Sequence, residues 1–233
     1  MNRKMIMVSV ILAVVIGFSV SAQGSNDSGN TTGSSSGFTG GMETALQSVE
    51  KQPLSDVEKQ GILLMREEEK LARDVYSTLY DEWNLKTFSN ISEAEQTHMD
   101  AMKLLVNRYG LSDPMTTNTV GVFTNPELQK LYNDLVAEGS KSLEAAVKVG
   151  SEVEELDIHD LERLMKTADN DDILIVYQNL LKGSRNHLRA FDRQLQRNGA
   201  SYTARFLSQR EYDSIAASPR ERGTVITDPE FKY

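Results

Sequence analysis

Seven residues of this chain have the types and spacing for metal chemistry: Glu68, Glu95 with His98, Glu154 with Asp157, and Ser184 with His187. The last three pairs share an i, i+3 spacing, which sets both members side by side on one helical face. Carboxylate oxygen with imidazole nitrogen suits iron, manganese or zinc, and cysteine-free sets of this kind are a usual home for iron or manganese pairs. Buried alone, these groups would repel one another or shift to neutral forms. The predicted ligands are Glu68, Glu95, His98, Glu154, Asp157 and His187.

Helices must position them. With successive residues about 100° apart, a helix over 55–82 gathers Val57, Leu64, Leu71, Ala72, Val75 and Leu79 on one side, with Glu68 near their centre. Glu67 and Glu69 fall toward the edges and read as flanking surface residues. A carboxylate aimed into a core costs several kcal/mol unless it is paired, hydrogen-bonded or metal-bound, so Glu68 requires partners. Ser55 and Glu58 have the spacing of a capping box at the start of this helix.

A second helix, 92–109, ends at Gly110 and carries Glu95 and His98 among Ile91, Met102, Leu105 and Val106. Ser92 and Glu95 also have capping-box spacing, which is the bland alternative for Glu95. A third helix, 142–166, turns Glu154 and Asp157 inward and points Glu152, Glu155 and His159 elsewhere. A fourth, 173–197, turns Ser184 and His187 inward. The long connection 111–141 contains a turn at Gly121 and a short helix with Pro126 first and Gly139 last. Strand-like alternation is absent. Two hairpins with short links, joined by one long crossover, predict an all-α four-helix bundle. In full antiparallel helices Glu68 and Glu95 would sit about two turns out of level. An extended return over 84–91, at about 3.3 Å per residue, would close that gap.

The ends and the composition bound the function. Arg3 and Lys4, an apolar stretch to Val20, and small residues before a cut near Ala22 form a signal-peptide pattern, so 1–22 predicts export, with an uncleaved N-terminal anchor as the rival. Residues 23–54 read as a flexible tether and lead-in, because the Gly, Ser, Asn and Thr of 23–41 bury too little apolar surface to offset their ordering. The bundle occupies 55–199, and 200–233 reads as a strap and tail. With no cysteine, thiol catalysis and disulfides are excluded. A net charge of −9 argues against a nucleic-acid partner. Arg185, Arg189 and Arg193 form the one basic stripe and read as a solvated helix face.

Five segments together, MREEEKLARDVY at 65–76, EQTHM at 95–99, GVFT at 121–124, EELDI at 154–158 and GSRNHLRAF at 183–191, resemble the prokaryotic family known as domain of unknown function 2202. That family is grouped with the ferritin-like superfamily, and the resemblance covers about 55–215. It implies a ferritin-like bundle with Glu on the first helix, Glu-x-x-His on the second, Glu on the third and Glu-x-x-His on the fourth. Ser184 stands where the fourth helix should carry glutamate, so the resemblance implies two metals or one, with Asp157 as the replacement carboxylate.

The expected function is an exported iron or manganese protein of ferroxidase or peroxide-reducing type, with metal ions and peroxide or oxygen as its partners and Ser184 behind the ligands. Tyr76 and Tyr177 could relay electrons, but as packed core tyrosines they need no such role. The alternative is a non-catalytic binding or structural module in which the same groups form a buried polar network without metal.

Overall fold

A computed structural model of the chain describes residues 35–231. The signal-peptide reading at 1–22 and the tether as far as residue 34 lie outside the described residues. Among the described residues the chain is all helical, with seven helices and no strand: α1 (Ser35–Ser48), α2 (Asp56–Trp83), α3 (Lys86–Tyr109), α4 (Pro126–Gly139), α5 (Leu143–Met165), α6 (Asp171–Arg197) and α7 (Gln209–Ala217). No described helix is long and apolar enough to cross a membrane. α2 packs along α3 and α5 along α6, and the two pairs meet where α2 faces α5 and α3 faces α6.

α2 opens on the predicted capping box: the Glu58 amide donates to Ser55 Oγ at 3.2 Å, and the Ser55 amide to Glu58 Oε2 at 3.0 Å. The second carboxylate oxygen of Glu58 accepts from the amides of Asp169 and Asn170, at 3.2 and 3.1 Å, tying the start of α2 to the start of α6. Burial opposes ionisation here, but the Ser55, Asn170 and Asp169 donors hold the carboxyl below its ordinary 4.5. A group depressed in the folded state stabilises above its unfolded pKa and loses that contribution as pH falls through the folded value. Glu58→Gln should therefore cost about 1–2 kcal/mol at pH 7, and the difference from the parent should vanish in acid. Urea melts at several pH values check this, and a deficit that persists unchanged below pH ~3 would contradict it.

The turn between α2 and α3 is shorter than the spacing predicts. Asn84 takes the left-handed conformation, φ 51, which asparagine tolerates better than most residues, and α3 starts at Lys86. The extended return over 84–91 is thus replaced by helix, because Phe88 and Ile91 continue the buried face of α3. Ser92 lies inside the helix, its hydroxyl 2.7 Å from Ser77 Oγ and donating to the Arg73 carbonyl at 3.2 Å. It caps nothing, so the bland reading of Glu95 is removed. Down the hairpin, Ser77 faces Ser92, Arg73 Nη1 donates to Gln96 at 2.7 Å, and Glu69 faces His98.

The basic residues of α2 fasten the crossover. Arg66 pairs with Asp113, Arg73 with Asn118, and Lys70 donates to the Thr119 carbonyl while lying 4.1 Å above the Phe123 ring. Asp74 accepts from Lys70, Arg73 and the Gly121 amide. α4 then packs on α2 and α5.

Two sequence readings change outside these helices. Part of the predicted tether is α1, which packs on α3 and α6 through Met42, Ala45 and Leu46; its Gly and Ser content hid this apolar seam. The stripe Arg185 and Arg189 is buried rather than solvated, because both side chains pair with Glu221 of the C-terminal strap, leaving Arg193 exposed. That strap is anchored again at Glu155, which accepts from the amides of Arg205, Phe206 and Leu207.

Candidate metal centre

Glu95 of α3 lies in the middle of the polar core. Its Oε2 is 2.7 Å from His98 Nδ1 and its Oε1 is 2.8 Å from His187 Nδ1. His187 Nδ1 makes no aligned hydrogen bond despite that approach, so the contact is electrostatic. Glu69 Oε2 of α2 closes on His98 Nδ1 at 3.2 Å, and Glu154 Oε2 of α5 lies 3.5 Å from His187 Nδ1. Ligand atoms of Glu69, Glu95 and His98 fall within 4.8 Å of one another, as do those of Glu95, Glu154 and His187. The result is two triads that share Glu95, with the imidazole rings stacked at 5.5 Å between centroids.

The carboxylate that α2 contributes is Glu69, not Glu68. Glu69 is 1% exposed, against the sequence reading of a flanking surface residue. Starting the wheel from Val57 and Leu64 put it out of phase: Val57 is 45% exposed, whereas the buried seam runs Glu58, Ile62, Met65, Glu69, Ala72, Tyr76 and Leu79 in steps of three and four. That regular alternation was the available signal. Glu68, 6% exposed, faces Asp160 and Asp157 of α5. Asp157 is held by the Ser184 hydroxyl, which also donates to the Leu180 carbonyl at 3.0 Å. Among the acids near Asp157 are Glu69, Glu154 and Glu95.

Several neighbours fix the ligand atoms. Tyr76, fully buried among Phe88 and Phe191, donates to Glu154 Oε1 at 2.5 Å. Gly183 of α6 leaves the space that the His98 ring occupies, for a Cβ there would sit 2.4 Å from its Cε1 and Nε2. Phe38 of α1 lies 6.4 Å from the His98 ring on the outer side.

The charges are out of balance in a dry core. Burial would push Glu95 up, yet His187 and His98 hold it below the usual carboxylate range. Burial pushes Glu69 up to about 8 and Glu154 up to about 7, against the pull of His98 and His187. His187 is raised to about 10: burial opposes its charge, but Glu95 and Glu154 favour it. Glu69 Oε1 is buried with no hydrogen-bond partner. An acidic set with an unpartnered inward oxygen fits cations of the hard or borderline kind.

A family model described as an uncharacterized protein domain, DUF2202, matches residues 58–219. The uncharacterized protein MJ0754 of Methanocaldococcus jannaschii is 53% identical over 178 residues, covering 76% of this chain and 96% of the relative. The crystal structure of hypothetical protein MJ0754 from Methanococcus jannaschii DSM 2661 is similar with a TM-score of 0.73, over 74% of this chain and 99% of that one.

Proposed function

The chain belongs to the DUF2202 family, and on that premise we propose that it is a ferritin-like metalloprotein with iron or manganese held inside a four-helix bundle of α2, α3, α5 and α6. The proposal includes export, on the leader-like residues 1–22.

One observation carries it: a single carboxylate, Glu95, reaches both histidines, while Glu69 and Glu154 flank it on either side. Glu69 and His98 would hold one ion, Glu154 and His187 a second, and Glu95 would be shared. With Glu69 in place of Glu68, the chain meets the superfamily pattern on three helices and at His187 of the fourth. When bound, the ions would supply one-electron redox chemistry of the kind that ferroxidases and peroxide reductases use. The protein's own part is positional: Tyr76 orients Glu154, Ser184 orients Asp157, and apolar packing keeps bulk water from the donor atoms.

The close approach of Glu95 to both imidazoles also favours a second reading, a self-contained polar network without metal. Metal analysis separates the two. Protein purified without chelator is expected to carry iron or manganese, or to take up Fe²⁺ or Mn²⁺ anaerobically. Glu69→Gln should lose most of that capacity, while Glu67→Gln, on the partly exposed side of α2, should keep it. Equal retention in both variants, or no uptake by the parent protein, would sink the metal reading.

A further inference from the structure

We propose that α1 is a lid over the two-histidine centre, hinged at Val49 and latched at Gly41 by the C-terminal strap. The lid's role in admitting metal rests on the reading of that centre as a metal site; its motion does not.

α1 packs on both α3 and α6. At one end, Arg108 Nη2 of α3 donates to the Val49 carbonyl at 2.9 Å, and Arg108 is itself fixed by Asp172 at 2.6 Å. At the other end, the Phe38 ring stands 6.4 Å from the His98 ring, at the place where His98 fits against Gly183 of α6. The spans from Phe38 to Val49 and from His98 to Arg108 are both about 15 Å of helix, so α1 runs alongside α3 from the centre to the hinge. Phe38 is only partly buried. On this side one ring of α1 lies between a proposed ligand and the outside.

The far end is lightly held. The Thr44 and Ser48 hydroxyls donate to carbonyls of α1 itself, those of Gly40 and Ala45, so apolar contact through Phe38, Met42, Ala45 and Leu46 does the holding. Gly40 and Gly41 in mid-helix weaken α1 further, because glycine loses more backbone freedom on folding than alanine does. Raising this end parts Phe38 and Met42 from the bundle while Leu46 and the hinge stay seated.

The strap restrains it. Val225 meets Gly41 so closely that a Cβ there would lie 3.1 Å from Val225 Cγ2. α6 in turn positions Val225 by gripping the main chain of the strap. Asn186 bonds both the amide and the carbonyl of Glu221, at 2.9 and 3.0 Å, and Asn179 bonds both those of Ile226, at 2.8 and 2.9 Å. Between these clamps, Lys182 Nζ donates to the Gly223 and Thr224 carbonyls at 3.2 and 3.1 Å. No residue of 219–231 is buried. Peripheral hydrogen bonds with little apolar burial mark a segment that opens locally before the rest of a fold.

Hydrogen exchange by mass spectrometry on the full chain, with chelator present, reads the motion. Anaerobic Fe²⁺ loading, quenched at intervals with a chromophoric ferrous chelator, reads its use. Asn179→Ala combined with Asn186→Ala removes both clamps without touching α1. In that double variant the amides of α1 should exchange at least about tenfold faster, since several hydrogen bonds of modest strength are lost, while those of α5 stay at the parent rate. If α5 also exchanges faster, Val225→Ala, which removes only the Gly41 contact, replaces the double variant. The latch variant should also load Fe²⁺ faster than the parent to the same final stoichiometry, as should Phe38→Ala, which leaves the strap alone. Parent-like exchange in α1 overturns the latch. Parent-like loading by both variants overturns the lid as an entrance. Absence of Fe²⁺ uptake by the parent overturns the metal centre instead, and the exchange comparison still decides whether the strap holds α1.

Discussion

Glu95→Ala is expected to leave the protein unable to retain metal and to lower its stability by about 3–5 kcal/mol, the usual cost of removing one partner from a buried ion pair. The size follows from its position. Each carboxylate oxygen faces one imidazole, at 2.7 and 2.8 Å, in a region where Glu95 itself is almost fully buried. Without it, two buried imidazoles keep only Glu69 and Glu154 as counterions, at 3.2 and 3.5 Å. Glu95→Gln keeps the volume and one acceptor, so it should regain part of the stability and none of the shared-ligand function. Denaturant melts with chelator present isolate the protein's own contribution, since bound metal would otherwise add its linkage energy. If Glu95→Ala retains the parent metal content, Glu95 is not the shared ligand.

Gly183→Ala should be the most damaging of the small substitutions. In a helix interior, glycine to alanine ordinarily gains up to about 1 kcal/mol, and overpacking ordinarily costs about 1–3 kcal/mol. Here the clash wins. The added Cβ would meet His98 Cε1 and Nε2 at 2.4 Å, and the ring cannot swing aside because Glu69, Glu95 and the stacked His187 ring hold it. We expect a lower melting temperature together with reduced metal stoichiometry. Gly40→Ala in α1, where a Cβ meets nothing within 4 Å, is the control and should be neutral or stabilising. A melting temperature for Gly183→Ala at or above that of the parent would show that His98 is free to move.

The four long helices were legible in the sequence because their stop and start signals are local. Ser55 and Ser142 cap α2 and α5, and Gly110 closes α3 in the left-handed conformation; the short crossover helix α4 likewise begins at Pro126. What misled was context. Ser92 has the spacing of a cap, but Phe88 and Ile91 carry the buried face past it. The wheel of α2 put Glu68, Leu71, Ala72, Val75 and Leu79 inside, where they lie, but this helix is buried over more than one face, so Glu69 and Lys70 are buried as well while Val57 is exposed. Glu95, His98, Glu154 and His187, which the wheels of the other three helices turn inward, do meet in the structure. The burial of Arg185 and Arg189 depends on a glutamate more than thirty residues away, which no local pattern reveals.

The limit of a family is set by what its members share, whereas the limit of a folded unit is set by which apolar surfaces must be covered. In this chain the two do not coincide. α1 ends before the first residue of the matched segment, yet Met42, Ala45 and Leu46 belong to the same buried cluster as Ala101, Leu105 and Leu181. A protein trimmed at residue 58 would bare a strip of oily surface on α3 and α6 and lose half of the Ser55–Glu58 cap as well. Its aggregation could then be mistaken for a failure to bind metal, so the truncation point belongs ahead of α1.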